Sequence, residues 1–283
     1  MTRAEIQFVR SLADKRSRDQ SGMFVAEGSK LVGELLASGL RVSRVFALEG
    51  LFPPGAAEVV TPKEMERLSL LKTPSNALAL VEMPRYRLDP AVAGRELVVA
   101  LDEVQNPGNL GTIIRLADWF GIGHVVCSPG TADCFNPKVV QATMGAITRV
   151  KVHYTDLAAF LGSVAERNRP VYGTFLEGEN LYDAPLAETG VVVMGNEGRG
   201  VTPEVARMVT RRLFIPPYPA DRRLRVAQRS DRNGRRVRRV PPSGGDRRTG
   251  SGGCRKGGAV RNGEHGKEIG RKHAFPPDAF WLP

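Results

Sequence analysis

From Glu96 onward the chain repeats one rhythm: a short, wholly apolar run, a turn, then a stretch with helical spacing. The apolar runs fall at residues 97–101, 125–127, 150–152, 171–175, 191–194 and 213–215. Helical spacing covers 109–120, 137–146, 157–167 and 203–209. A strand apolar on both faces must be covered on both, and strands separated by helices run parallel. The pattern therefore predicts an α/β domain over 96–220 with a parallel sheet between two helical layers.

Residues 1–83 read as a separate, smaller α/β unit. Helical spacing covers 4–13, a strand 23–26, and Leu31, Leu35 and Leu36 mark a second helix. Residues 42–48 and 77–81 read as strands and 62–70 as a helix. The polar, proline-punctuated stretch 84–95 reads as a linker.

Hydrophobic residues make up 41% of the 283, enough for real cores. No apolar run is long enough to span a membrane, and Met1–Arg10 lacks the order of a signal peptide, so the cytoplasm is the expected location. Cys127, Cys134 and Cys254 are odd in number and share no ligand spacing with His124, His153, His265 or His273, which argues against a disulfide framework or a metal site. The net charge of +11 is confined to the end of the chain. Residues 221–283 hold 17 Lys/Arg and 6 Asp/Glu, leaving 24 of each sign before them. A case for nucleic acid must therefore rest on motifs in the body. The stretch 221–283, rich in Arg, Gly, Pro and Ser, reads as a disordered basic tail.

Two loops carry the chemistry. Leu101-Asp102-Glu103-Val104-Gln105-Asn106-Pro107-Gly108-Asn109 follows the first strand of the large domain, and Gly111-Thr112-Ile113-Ile114-Arg115 continues it. Asn106-Pro107-Gly108 is a turn signal, Asn109 is placed to cap the next helix, and Arg115 then sits about two turns in. The second loop, Met194-Gly195-Asn196-Glu197-Gly198-Arg199-Gly200-Val201, follows another apolar run. Its glycines let a ligand approach the backbone, and Glu197 brings a carboxylate to a strand end, where open α/β sheets bind ligands. The spacing is neither a dinucleotide fingerprint nor a P-loop.

Together these loops resemble motifs one and two of the SpoU/TrmH family of RNA 2′-O-ribose methyltransferases, within the SPOUT superfamily. The match reads N-x-x-N-x-G-x-x-x-R from Asn106 to Arg115 and G-N-E-G-x-G from Gly195 to Gly200. Gln141-Ala142-Thr143-Met144-Gly145-Ala146 is similar to a further family segment, and Phe214-Ile215-Pro216 to the opening of motif three. Met23 to Lys30 is similar to the family's N-terminal substrate-binding domain. The resemblance covers about residues 1–219 in the family's order. It implies a knotted parallel-sheet domain, S-adenosyl-L-methionine as methyl donor, structured rRNA or tRNA as substrate, and a homodimer without metal or membrane. It further implies Asn109, Arg115 and Glu197 as catalytic residues. Leu176, Gly195, Asn196, Gly200 and Ile215 would hold the donor, and Glu27 and Lys30 would meet RNA. A guanidinium keeps its proton, so Arg115 is expected to orient ribose and phosphate and stabilise the developing alkoxide, with Glu197 holding it or the motif-three residues in place.

The family's motif three continues with Ser-Leu-Asn-Val and an alanine-rich helix, and residues 221–240 depart from it entirely. Back-translating 222–242 and reading one base later, one allowed codon choice yields GDSESLNVATATAAVCAEFRR. A one-base frameshift near residues 220–222 is therefore expected, and with it impaired activity in this chain. Two other classes stay open. One is a non-catalytic RNA-binding protein with a decayed second domain. The other is a nucleotide-binding oxidoreductase, disfavoured by the missing fingerprint.

Overall fold

The computed structural model describes residues 1–216, which form one compact unit. Its N-terminal lobe runs α1 (Arg3–Ser11), α2 (Lys15–Ser21), β1 (Met23–Glu27), α3 (Ser29–Ala37), β2 (Val42–Ala47), β3 (Glu58–Val59), α4 (Pro62–Leu68) and β4 (Ala77–Glu82). Capping boxes start α1 and α4: the Thr2 and Thr61 hydroxyls accept from the amides of Glu5 and Glu64, whose carboxylates answer to the cap. The sheet order is β1-β4-β2-β3, antiparallel except for β2 with β3. Alternate residues of β4 serve opposite faces. Ala77, Ala79 and Val81 pack on the α3 side, while Leu78 and Leu80 join Ile6, Val9, Met65 and Leu68 of α1 and α4.

The C-terminal lobe runs β5 (Leu97–Leu101), α5 (Pro107–Trp119), β6 (His124–Cys127), α6 (Pro137–Ala142), β7 (Lys151–Tyr154), α7 (Leu157–Glu166), β8 (Val171–Phe175), β9 (Glu179–Asn180), β10 (Gly190–Met194), α8 (Pro203–Met208) and β11 (Arg211–Phe214). Its seven strands are all parallel, in the order β7-β6-β5-β10-β8-β11-β9. The expected two-sided burial is present. Val99 and Leu101 face α5 and α6, while Val98 and Ala100 face α7 and α8. Side chains such as Leu110 and Leu161, fully buried, each contribute about 2 kcal/mol.

Three differences from the sequence reading have clear causes. The helix expected over 137–146 ends at Ala142, because Met144 and Gly145 take positive φ angles (52° and 94°) that break it before a 3-10 turn at Ala146–Thr148. Within the expected linker, Pro90–Gly94 forms a 3-10 turn whose Val92 and Ala93 are buried in the second core. Helix α2 escapes the sequence reading because Lys-Arg-Ser-Arg-Asp-Gln-Ser has no apolar period; the residue it buries is Arg18.

Arg18 is 1% exposed and joins the lobes. Its Nη2 and Nε lie 2.6 and 3.1 Å from Asp133 Oδ2, and Nη1 donates to the carbonyls of Leu12 and Ala13. Beside it, the rings of Phe24 and Phe135 are 4.9 Å apart, and Val140 of α6 completes the core under α3. On the surface Arg149 bridges Glu34 of α3 and Asp118 of α5 at 3.1 and 2.8 Å. The small lobe is thus docked through a buried ion pair, an aromatic contact and shared core.

Candidate active site at the strand ends

In the order β5-β10-β8-β11, four neighbouring strands present their carboxyl ends together. Met194 is level with Leu101, and Phe214 with Phe175, so the loops leaving these strands start at similar height. Open α/β sheets bind ligands in the crevice that forms at such an edge.

The two motif loops are stitched to each other. The Asp102 amide donates to Met194 O at 2.9 Å, and the Asp102 carboxylate, 2% exposed, accepts from the Thr202 amide at 2.7 Å. Asn196 Nδ2 donates to Glu103 O at 2.8 Å, while its Oδ1 accepts from the amides of Gly198 and Arg199. Asn196 and Gly200 exchange both backbone hydrogen bonds, at 2.9 and 2.7 Å. Glu103 Oε2 lies 3.4 Å from Arg199 Nη1. Glu103 sits at φ 54°, a left-handed conformation that costs a non-glycine residue about 1 kcal/mol and is held here by contacts on both sides. Its amide donates to Ser128 Oγ at 2.9 Å.

Several expectations are corrected by this geometry. The cap of α5 is Asn106, whose Oδ1 accepts from the amides of Gly108 and Asn109; Asn109 itself lies in the first helical turn. Pro107 at the first helical position needs no amide partner and starts the helix earlier than the spacing suggests. Arg115 is consequently the ninth residue of α5. Six residues after Asn109, it stands about 9 Å further along the axis and about 120° around it. Of the two partners expected for Glu197, Arg115 makes no ion pair with it, and the motif-three residues lie outside the described residues; the acid–arginine pair linking the loops is Glu103–Arg199. Arg115 and Glu197 are both exposed and make no ion pair with a described residue.

Gly195 is required by its own loop: an added Cβ would lie 2.3 Å from the Gly200 carbonyl carbon and 2.4 Å from the Val201 nitrogen. Gly200 needs its freedom at φ 71°. Leu176, next after β8, is 81% exposed, and Ile215, next after β11, is half-buried. Lys30 is exposed in the first turn of α3. Glu27 is different. It is 4% exposed, its carboxylate accepting from Ser69 Oγ, the Leu70 amide and Ser75 Oγ at 2.6, 2.7 and 3.2 Å, so it is a structural carboxylate rather than an RNA contact.

Asp102 and Glu103 are the residues that sequence reasoning leaves without a role, although they stand inside the first motif. The available signal is their position, two acidic residues directly after a wholly apolar strand. Among the described residues no group of His, Cys, Asp or Glu is arranged to hold a metal, and no helix is long and apolar enough to cross a membrane. Motif three and any threading of the chain beyond it lie outside the described residues.

A parallel α/β sheet with two glycine-rich loops tied together at its carboxyl edge, and an arginine on the helix leaving one of them that pairs with no described residue, defines an α/β domain of the ligand-binding kind with a small lobe docked against it. Residues 96–228 match the SpoU rRNA Methylase family and residues 3–79 the MRM3-like substrate binding domain. The 23S rRNA (guanosine(2553)-2′-O)-methyltransferase RlmP of Bacillus subtilis is 30% identical over 225 residues, covering 77% of this chain and 89% of the relative. A TrmH-family structure from Porphyromonas gingivalis aligns with TM-score 0.70 at 41% identity, over 77% of this chain and 89% of that one. An AdoMet-bound rRNA methyltransferase from Sinorhizobium meliloti aligns with TM-score 0.67 at 28% identity, over 83% and 90%. The chain belongs to the SpoU family of RNA methylases.

Proposed function

We propose that this protein transfers a methyl group from S-adenosylmethionine to a ribose 2′-hydroxyl of ribosomal or transfer RNA. The observation that carries the reading is the stitched pair of loops with Arg115, which pairs with no described residue, on the helix that leaves one of them. The methyltransferase relatives named above, one of them holding the donor, support it.

The residues present suit one side of such a donor. Leu176 offers a largely exposed aliphatic surface, and the chain at Leu176, Gly195 and Ile215 supplies backbone groups beyond the paired strands. When bound, S-adenosylmethionine supplies an electrophilic methyl on sulfonium. Asn196 and Gly200 hold the loop that would face it, through the bonds they make to each other and to Glu103. Arg115 would orient the ribose and its phosphate and offset charge on the 2′-oxygen as that oxygen takes the methyl from sulfonium and gives its proton to solvent water. Asn109 and Glu197 would position the substrate around it. Lys30, exposed on α3, would meet the RNA backbone.

A homodimer, with the site near its interface, is part of this reading. Trp119 supports it. It is 82% exposed, four residues after Arg115 and hence on the same face of α5. In a dimer that ring would be covered, and Trp119→Glu is expected to yield monomers in sedimentation.

The test uses this chain beside a protein whose frame is restored after residue 220. The restored protein is expected to bind S-adenosylmethionine in calorimetry and to methylate rRNA, with the present chain weaker in both. In it, Arg115→Ala should leave donor affinity within about twofold while transfer falls about 10²–10³-fold, the range for removing one charge-stabilising donor. A restored protein that binds no donor would sink the reading.

A further inference from the structure

We propose that Arg95, Arg167 and Arg169 form a phosphate-binding site at the amino edge of the seven-stranded sheet, away from the motif loops. With Ala91 and Gly94 they line a cavity of about 270 Å³. Arg95 precedes β5, Arg167 ends α7 and Arg169 precedes β8, so the fold delivers three guanidinium groups to one place from distant points of the chain. Strand β5, about 16 Å long at 3.3 Å per residue, separates this edge from the motif-one loop.

The three side chains are anchored individually. Arg167 Nη1 donates to Ser163 O at 2.6 Å. Arg169 lies over the backbone at Gly94, where an added Cβ would come within 3.0 Å of its Nε; a side chain at 94 would push the guanidinium away. Arg95 Nη2 is 3.6 Å from Asp89 Oδ2. Asp89 is the one carboxylate paired with these three among the described residues, and its other oxygen already accepts from the Ala91 amide. Three guanidiniums thus line one cavity with a single paired carboxylate, on Arg95, among the described residues, in a body whose charges otherwise cancel: 24 Lys/Arg against 24 Asp/Glu before residue 221. Three like charges around one cavity repel until an anion joins them. Phosphate fits better than carboxylate, because its oxygens point in several directions and can meet forks arriving from different elements.

The phosphate has two sources, the backbone of a bound RNA or a free phosphate group. Only the first rests on the proposed function. The test uses the full chain and the double variant Arg167→Ala/Arg169→Ala, whose exposed side chains are not needed for the core. Inorganic phosphate stabilises proteins generally by exclusion from their surface, so the readout is calorimetric binding and the difference in thermal shift between the two proteins. The chain is expected to bind phosphate and the variant not. In parallel, the salt dependence of affinity for an rRNA fragment is measured. The slope of log K against log salt shrinks by about 0.7–0.9 for every phosphate the protein no longer neutralises, so a drop of about 1–2 assigns the site to the RNA backbone. The basic stretch after residue 220 is common to both proteins and cancels in the difference. Phosphate binding with an unchanged RNA slope assigns a free phosphate group. Equal phosphate titrations and equal slopes overturn the site, whatever becomes of methyl transfer.

Discussion

Glu27 and Glu197 look alike on paper and do opposite things in the molecule. Each stands at the carboxyl end of an apolar strand and precedes a glycine, Glu27-Gly28 where β1 ends and Glu197-Gly198 in the loop after β10. Glu27 is buried and saturated by two hydroxyls and an amide from the 69–75 segment, which it fastens to the small sheet. Glu197 is exposed without a described ion-pair partner, on a loop whose shape is kept by Asn196, Gly195 and Gly200. The small lobe and the lobe junction use their polar groups to hold structure. The strand-end loops are held by the Asp102 carboxylate, the Glu103–Arg199 pair and the Asn196 amide, which leaves Arg115 and Glu197 without an ion pair to any described residue.

The strongest break of that contrast is at the lobe junction. Asp133→Ala leaves Arg18, 1% exposed, with no carboxylate, and stranding a buried charge costs about 3–5 kcal/mol. Denaturant midpoints should drop accordingly. Replacing both partners, Arg18→Met with Asp133→Leu, is expected to recover much of the loss, since apolar packing often substitutes well for a buried pair. A single Asp133→Ala within about 1 kcal/mol of the parent would show that the junction is wet and the lobes are loosely joined.

Next in size is the paired exchange of the two glutamates. Glu27→Gln replaces an acceptor of three hydrogen bonds with a neutral group that satisfies fewer of them, and should cost about 2 kcal/mol of stability. Glu197→Gln should leave stability within about 0.5 kcal/mol while methyl transfer by the frame-restored protein falls about tenfold or more. Reversed outcomes, a stable Glu27 variant that loses RNA affinity or an unstable Glu197 variant, would exchange their roles.

How far the sequence carries depends on which physical signal is present. Six of the seven strands of the large sheet are legible because strands buried on both faces write themselves as apolar runs, and 97–101 and 171–175 fall where read; the short, polar β9 carries no such signal. Helix α2 is not, since periodicity sees apolar residues and the buried residue there is an arginine whose partner lies 115 positions away. The cap falls on Asn106 rather than Asn109 for a local reason. Asn106 and Asn109 are equally good caps, and only the proline between them, fit for a first helical position, favours the earlier one. Asp102 and Glu103 stand in plain view, but their roles are contacts to Thr202, Asn196 and Arg199 on another loop.

The smallest effect sharpens the comparison inside the catalytic lobe itself, where a titratable group behaves like Glu27. His153 of β7 is 5% exposed, with its Nε2 3.0 Å from His124 Nδ1 and the two rings nearly parallel. Burial first, then the neighbouring His124 and Lys151, lowers its pKa to about 4, against a contact with the Tyr86 backbone that raises it. Burial also lowers His124, although Glu96, 3.6 Å from its Nε2, opposes this. Above the unfolded value of about 6.5 both states are neutral at His153 and its contribution to stability is complete. As pH falls below that, the unfolded chain takes up a proton that the folded chain refuses, and stability is lost down to the folded value. The slope reaches about 1.4 kcal/mol per pH unit, so about 1 kcal/mol should go between pH 6.5 and 5.5. His153→Gln cannot titrate, and its stability should fall less steeply over that interval by the same amount. Parallel curves for the two proteins would mean that His153 gains its proton without unfolding, and that the β6–β7 edge is open to water as the strand-end loops are.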